Sequence, residues 1–345
     1  MQITVGNSNG HKRSPNVEDV LARIDMATLL VDMGFDDVDP DAEEQLLFCI
    51  FHNDVNTKSF SVNLEKKVFR CFSSNCPARG SAITLYAMWK QIPWEQALTE
   101  LQYLPKRRSV ATLKKKLAAR KSLISVSRRM QIMTEFIDSL PPLSESKYAP
   151  VLESRGITLE AQDYFQLKAY DDTITQPYEE LFQAGVANVW HNPVFQNHPI
   201  LMPYYLGESV AFIQGRQAVK DDTRSKYMGT RGMIPCMFNH SILRHSPKRV
   251  FMTEGALDAI SMECMGYGPA LGVVGSDGFK EEWAGEFKGV DEVWIATDND
   301  ASGQEAFFDW AKKLQKAVSV VRKFTIPAQY KDANEWLIAT NNEKA

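Results

Sequence analysis

Apolar and polar positions follow two different periods along this chain, and the changes of period divide it into segments. From Val17 to Met33 the run VEDVLARIDMATLLVDM repeats apolar residues at helical spacing and stops at Gly34, which predicts a helix. The segments LLFCIF, SFSVN and KVFRCF then follow a period of two, the pattern of a small β-unit. AITLYAMWKQ and WEQALTELQYL return to helical spacing and close this first unit with two amphipathic helices. Beyond Pro141-Pro142, VLESRGITLEAQDYF reads as two short helices around Arg155-Gly156, and PILMPYY and SVAFIQGR read as strands. In the last hundred residues strand-like RVFMT, ALGVVG, EVWIAT and VVRKFTI alternate with helix-like ALDAISMECM and SGQEAFFDWAKKLQ. That alternation predicts a mainly parallel sheet with right-handed crossovers.

Composition narrows the picture. A chain of 345 residues has room for two or three domains, and 44% hydrophobic with 24% charged residues is ordinary for a globular protein. No apolar run approaches the ~20 residues of a membrane span, and the polar start MQITVGNSNGHKRSPN predicts a disordered tail over 1–16 and a cytoplasmic protein without membrane attachment. The net charge of −4 hides an uneven distribution. Lys106, Arg107, Arg108, Lys114, Lys115, Lys116, Arg120, Lys121, Arg128 and Arg129 stand together with no acidic residue among them. Such a basic helical linker can follow a phosphate backbone or serve as a solvated tether.

Candidate chemistry lies in three places. Cys49-x2-His52, eighteen intervening residues and Cys71-x4-Cys76 form two ligand pairs on hairpin-like segments, which fits one structural, four-coordinate Zn²⁺. Cys236 and Cys264 stand alone and are expected to be buried small hydrophobes. A second cluster, Arg216, Lys220, Arg224, Lys226, Tyr227 and Arg231, mixes cations with a ring, as single-stranded nucleic acid requires and as a charged loop also does. The third is Asp298-Asn299-Asp300, at the carboxyl end of VWIAT, where open α/β sheets bind ligands. Alone, the tripeptide is most simply a solvated acidic turn. If RVFMT and EVWIAT are neighbouring strands, however, Glu254, Asp298 and Asp300 converge, with Asp258 one helical turn on and Asp332 beyond the last strand. Crowded carboxylates call for cations such as Mg²⁺. Neither a Gly-Lys-Ser/Thr phosphate loop nor His-Glu-x-x-His nor Gly-x-Ser-x-Gly occurs, which removes nucleotide motors and those hydrolytic routes.

In this order the motifs resemble bacterial DnaG-type primases and the primase halves of phage primase-helicases. CIFHND, TKSFSVN, KVFRCF and GSAI are similar to the family's CHC2-type zinc-binding domain. LESRGITLEAQDYFQL and GRQAVKDDTRSKYMGT resemble the first part of its RNA polymerase core, and TEGALDAI, ATDNDASGQEA and YKDANEWL its Toprim domain. The resemblance implies a mixed α/β chain: a zinc-binding β-unit over 17–104, the basic linker over 105–140, an α+β subdomain over 141–240 and a Rossmann-like Toprim sheet over 241–345. It also implies synthesis of short RNA primers from ribonucleoside triphosphates on a single-stranded DNA template, with two Mg²⁺ or Mn²⁺ ions. Glu254, Asp298 and Asp300 would be the catalytic acids, Asp258 and Asp332 their support, and Arg155, Arg216, Lys226 and Tyr227 the template or nucleotide contacts.

Two departures matter. Cys71-x4-Cys76 is longer than the usual second knuckle, and the sequence ends soon after KDANEWL, without the family's helical remainder or helicase-gripping domain. The expectation is a compact primase of a phage, plasmid or other mobile element, working beside a separately encoded helicase or replication initiator. A Toprim nuclease and a non-catalytic nucleic-acid-binding accessory are the alternatives; the zinc knuckle and the GRQ and KY motifs are not expected of the nuclease.

Overall fold

The structure is a computed structural model that describes residues 16–35, 37–51, 58–73, 76–103, 109–122, 125–171, 176–188, 192–231, 236–275 and 278–344. The described residues form two compact units, one of residues 16–51 and 58–122 and the other of residues 125–344. Among the described residues no helix is long and apolar enough to cross a membrane.

The first unit opens with α1 (Val17–Arg23) and α2 (Met26–Asp32). The single helical run of the sequence is therefore broken: the Asp25 side chain accepts from the Thr28 N–H and starts a new helix, an N-cap that competes with continuation. An antiparallel sheet follows in the order β1 (Glu44–Leu47), β2 (Phe60–Asn63), β3 (Val68–Cys71) and β4 (Arg79–Ser81). Phe60 stacks between Phe35 and Phe69, with ring centroids 5.2 Å apart on each side. The unit is completed by α3 (Ala82–Lys90), α4 (Trp94–Leu101) and α5 (Val110–Ser122).

The basic stretch expected as a linker is divided between the units. Leu113 and Leu117 of α5 are buried in the first, where Lys114 pairs with Asp41 and Lys116 with Asp32. Beyond it, α6 (Val126–Asp138) buries Ile132, Met133, Phe136 and Ile137 in a core of the second unit. Arg128 bonds to Glu180 and Arg129 to the Gln183 carbonyl. Helical spacing of apolar residues under the charge, not the charge itself, decides where these helices pack.

The second unit continues with α7 (Ala149–Glu153), α8 (Leu159–Tyr164), β5 (Lys168–Ala169), α9 (Tyr178–Ala184), β6 (Ile200–Leu206), β7 (Ser209–Arg216) and β8 (Tyr227–Gly229). Its first sheet is antiparallel in the order β5-β6-β7-β8. Then β9 (Arg249–Thr253), α10 (Ala256–Cys264), β10 (Ala270–Gly272), β11 (Glu292–Ala296), α11 (Ala301–Leu314), β12 (Val320–Lys323) and α12 (Ala333–Lys344) alternate. Their strands pair in parallel in the order β10-β9-β11-β12, so the mixed α/β class and the parallel sheet expected from the pattern are both present. One core runs continuously from Leu143, Ile157 and Tyr204 to Phe251, Ile260 and Leu337, joining the segments that the sequence separated at 240.

Candidate functional site

Hairpin geometry gathers the thiols. Cys49 follows β1, Cys71 ends β3, and Cys76 lies in the connection to β4; all three sulfurs lie within 4.8 Å of one another. Cys49 Sγ and Cys76 Sγ are 3.9 Å apart. Tetrahedral zinc with Zn–S near 2.3 Å places two ligand sulfurs about 3.8 Å apart, so the donor set fits this ion in spacing and in chemistry. The Ser73 N–H donates to Cys71 Sγ at 3.4 Å, and Ser59 Oγ lies 3.1 Å from it, contacts that orient a thiolate ligand. Hydrogen bonding with Cys76, then burial, pushes the Cys49 thiol far up, as expected of adjacent thiols without a cation between them. His52, the expected fourth ligand, lies outside the described residues. Of the two other cysteines, Cys236 is buried as expected, whereas Cys264 is exposed at the end of α10.

The carboxylates gather by strand order. β9 and β11 are hydrogen-bonded neighbours with Thr253 opposite Ala296, so the residues just beyond them, Glu254 and Asp298, meet at one sheet edge. The Asp298 N–H donates to Glu254 Oε1 at 3.0 Å. Asp300 caps α11 by accepting from the Gly303 N–H at 2.9 Å, and Asp332 holds the first turn of α12 by accepting from the Glu335 N–H at 2.8 Å. Helix amino termini carry partial positive charge, which favours acids at these positions. Gly303 is required by close approach: a Cβ there would lie 2.2 Å from the Asp298 carbonyl oxygen and 2.9 Å from Glu254 Oε1.

Crowding shows in the protonation of this edge. Burial, then the Asp298 charge, raises Glu254 to about 7. Burial, then Asp332, raises Asp258 to about 8 and Asp298 to about 6. A divalent cation would reverse this logic by favouring every charged form at once, and oxygen donors are the chemistry such a metal takes, but among the described residues only the three cysteines bring three ligand atoms within 4.8 Å of one another.

Opposite the acids stands a basic group from the antiparallel sheet and the α7–α8 turn. Arg216 is 8% exposed and donates from Nη1 to the Tyr227 hydroxyl at 2.8 Å, while its buried Nε has no hydrogen-bond partner among the described residues. The Arg216 guanidinium and the Lys226 ammonium lie 5.4 and 5.2 Å from the centroid of the Tyr227 ring, which is thus occupied by cations. Arg155 is lowered by burial and by Arg216, and Lys226 by burial, Arg216 and Arg155; Asp332 and Asp258 act on both in the opposite sense. Arg155, Lys226 and Tyr227 therefore lie within electrostatic reach of the carboxylates, and Arg216 within reach of those three. Lys220 and Arg224 instead pair locally with Asp222 and Asp221.

Two asparagines escaped sequence reasoning. Asn299 Nδ2 donates to the carbonyls of Ile326, Pro327 and Tyr330, and its N–H donates to that of Lys331, fixing the loop that leads to Asp332. Asn334 is buried between Arg155 and Asp258. Their placement inside Asp-Asn-Asp and Lys-Asp-Ala-Asn-Glu was the only available signal.

Residues 13–116 match the CHC2 zinc finger family and residues 251–337 the Toprim-like family. The Gene 57 protein of Mycobacterium phage D29 is 34% identical over 119 residues, covering 34% of this chain and 74% of that protein. The DNA primase of Halalkalibacterium halodurans is 25% identical over 310 residues, covering 81% of this chain and 50% of that protein. The chain spans roughly half the length of the curated DNA primases it matches, between 50% and 60% of each. In fold it is similar to a DnaG primase catalytic domain solved bound to ssDNA, with a TM-score of 0.52 at 16% identity over 66% of this chain and 77% of that chain. A DNA primase domain from Pseudomonas aeruginosa gives 0.50 at 17% identity, over 62% and 75%. With a CHC2 zinc finger ahead of a Toprim unit, and relatives that carry the name primase, the chain belongs to the DnaG-type primase family.

Proposed function

We propose that this chain synthesises short RNA primers on single-stranded DNA by nucleotidyl transfer. The observation that carries the reading is the meeting, within one unit, of Glu254, Asp298 and Asp258 with Arg155, Arg216 and Lys226. Glu254, Asp298 and Asp300 would hold two Mg²⁺ or Mn²⁺ ions, with Asp258 and Asp332 in support. Bound there, such ions supply the charge that stabilises an attacking 3′-oxygen and a leaving pyrophosphate.

The protein's own groups do the positioning. The Nε of Arg216, without a hydrogen-bond partner among the described residues, offers a buried, charged donor to a phosphate oxygen, and Arg155 and Lys226 add positive charge beside it. Asp300 and Asp332, each fixed as a helix cap, hold their carboxylates without further ordering when substrate arrives. Cys49, Cys71 and Cys76, with His52, would close around one structural zinc that leaves no open position for chemistry. That module would help choose where on the template synthesis begins. A separately encoded helicase or replication initiator of a phage, plasmid or other mobile element would supply the template, in the cytoplasm.

The test is incubation with a single-stranded template and labelled ribonucleotides in Mg²⁺ or Mn²⁺. Template-dependent oligoribonucleotides that vanish with Asp298→Ala or Glu254→Ala support the proposal. Shortened template would point to a nuclease, and absence of both products to a binding accessory.

A further inference from the structure

The acid and base groups come from different parts of the chain, and one residue touches both. Asn334 is 3% exposed at the start of α12. Its Oδ1 accepts from Arg155 Nη1, while Nδ2 donates to the Arg155 carbonyl at 3.0 Å and to Ser261 Oγ at 3.0 Å. Its backbone N–H donates to Asp258 Oδ1 at 3.3 Å. Both donors and the acceptor of the amide are thus used, the acceptor and one donor on Arg155, 179 positions away, and the other donor on Ser261.

The surroundings make this arrangement directional. Arg155 ends a turn whose next residue, Gly156, has φ of +79°, and a Cβ at Gly156 would lie 2.7 Å from Asn341 Nδ2 and 2.9 Å from Leu337 Cγ. The turn is therefore seated against side chains of α12. Within it, the guanidinium is the free part of Arg155, and the Asn334 oxygen is the neutral acceptor that fixes its direction. A carboxylate in the same place would neutralise the guanidinium and could not donate to the Arg155 carbonyl. An amide holds the cation in place and leaves its charge available.

We propose that Asn334 is a positioning residue that aims Arg155 at the phosphate groups of the incoming nucleotide and keeps Asp258 in register with it. This rests on the primase reading and adds a role that acts through Arg155. Asn334→Ala and Asn334→Asp are each combined with Arg155→Ala in the full chain. The nucleotide KM of each single variant is expected to rise about tenfold, the scale of one lost hydrogen bond to a charged group, with kcat changed less than about threefold. Each double variant is expected to match Arg155→Ala alone. Losses that multiply, or a fall in kcat with unchanged KM, would overturn the role.

Asn334→Asp conserves shape, so the cycle survives a folding failure of the alanine variant. If the unmodified chain incorporates no nucleotide, the primase reading fails separately. The same cycle is then read as equilibrium binding of Mg·ATP, where non-additive losses support the positioning role and multiplicative losses reject it.

Discussion

The Asp298 N–H bonds to Glu254 Oε1 at 3.0 Å, so one carboxylate of the proposed catalytic set is held by the backbone of another. The bond needs only an acceptor oxygen, whereas cation binding needs the charge. Glu254→Gln is therefore expected to keep the fold while nucleotide incorporation falls on the order of a thousandfold, the several kcal/mol contributed by a bound cation. Without divalent ions its melting temperature should exceed that of the parent chain, because one buried charge has been removed. Thermal melts beside incorporation assays check both halves, and a variant both inactive and less stable would contradict the account.

Stability should depend on pH in the unusual direction for carboxylates. Glu254, Asp258 and Asp298 have folded values raised to about 7, 8 and 6. A raised group contributes fully below its unfolded value, near ~4, and that contribution is lost as pH rises through the folded value. The metal-free second unit should therefore lose stability between roughly pH 4 and pH 8. Mg²⁺ should restore it, by an increment that grows with pH and releases protons measurable in weakly buffered solution. A metal-induced shift that shrinks as pH rises would refute this.

Gly303→Ala tests the close approach without touching charge. Its Cβ would meet the Asp298 carbonyl oxygen at 2.2 Å, a backbone atom that cannot rotate away. Displacing the Asp298 turn from Glu254 should lower incorporation by ~100-fold, the cost associated with misplacing reacting groups by about an ångström. Unchanged activity would show that the two acids need not be held at this spacing.

Zinc removal should act on the first unit. Atomic absorption should find one zinc per chain, lost from Cys71→Ser but retained in Cys264→Ser, whose altered thiol is exposed on α10. Chelation should abolish the melting transition of the first unit, since ligand binding and folding are one event at such sites. Synthesis from unprimed templates should fall with it; full synthesis by the demetallated protein would remove any role for the knuckle in initiation.

The acids at the strand ends were legible because they follow from local pattern: VFMT and VWIAT are short apolar runs, and acids follow each. Their adjacency was not: alternation implies a parallel sheet but leaves open which strands are neighbours, and the order β10-β9-β11-β12 supplies it. Val17 to Met33 misled because its apolar spacing continues across Asp25, whose side-chain cap outweighs the pattern. The basic stretch misled because ten cations drew attention from the apolar positions beneath them. The role of Asn334 could not be read, since its bonds reach across 179 positions to Arg155 and nothing local to either residue announces that they meet. The same holds for the role of Tyr227, whose ring is filled by Arg216 and Lys226.

The β9–β11 ladder has a thermodynamic consequence. Glu254 and Asp298 lie 44 positions apart, and the entropy of closing that loop is met by strand pairing and the core beneath it rather than by a cation. An ion arriving at this edge therefore encounters a finished site and need not fold one. On the proposed reading it would leave with product and be replaced while the sheet stays closed, whereas loss of zinc is expected to unfold the first unit.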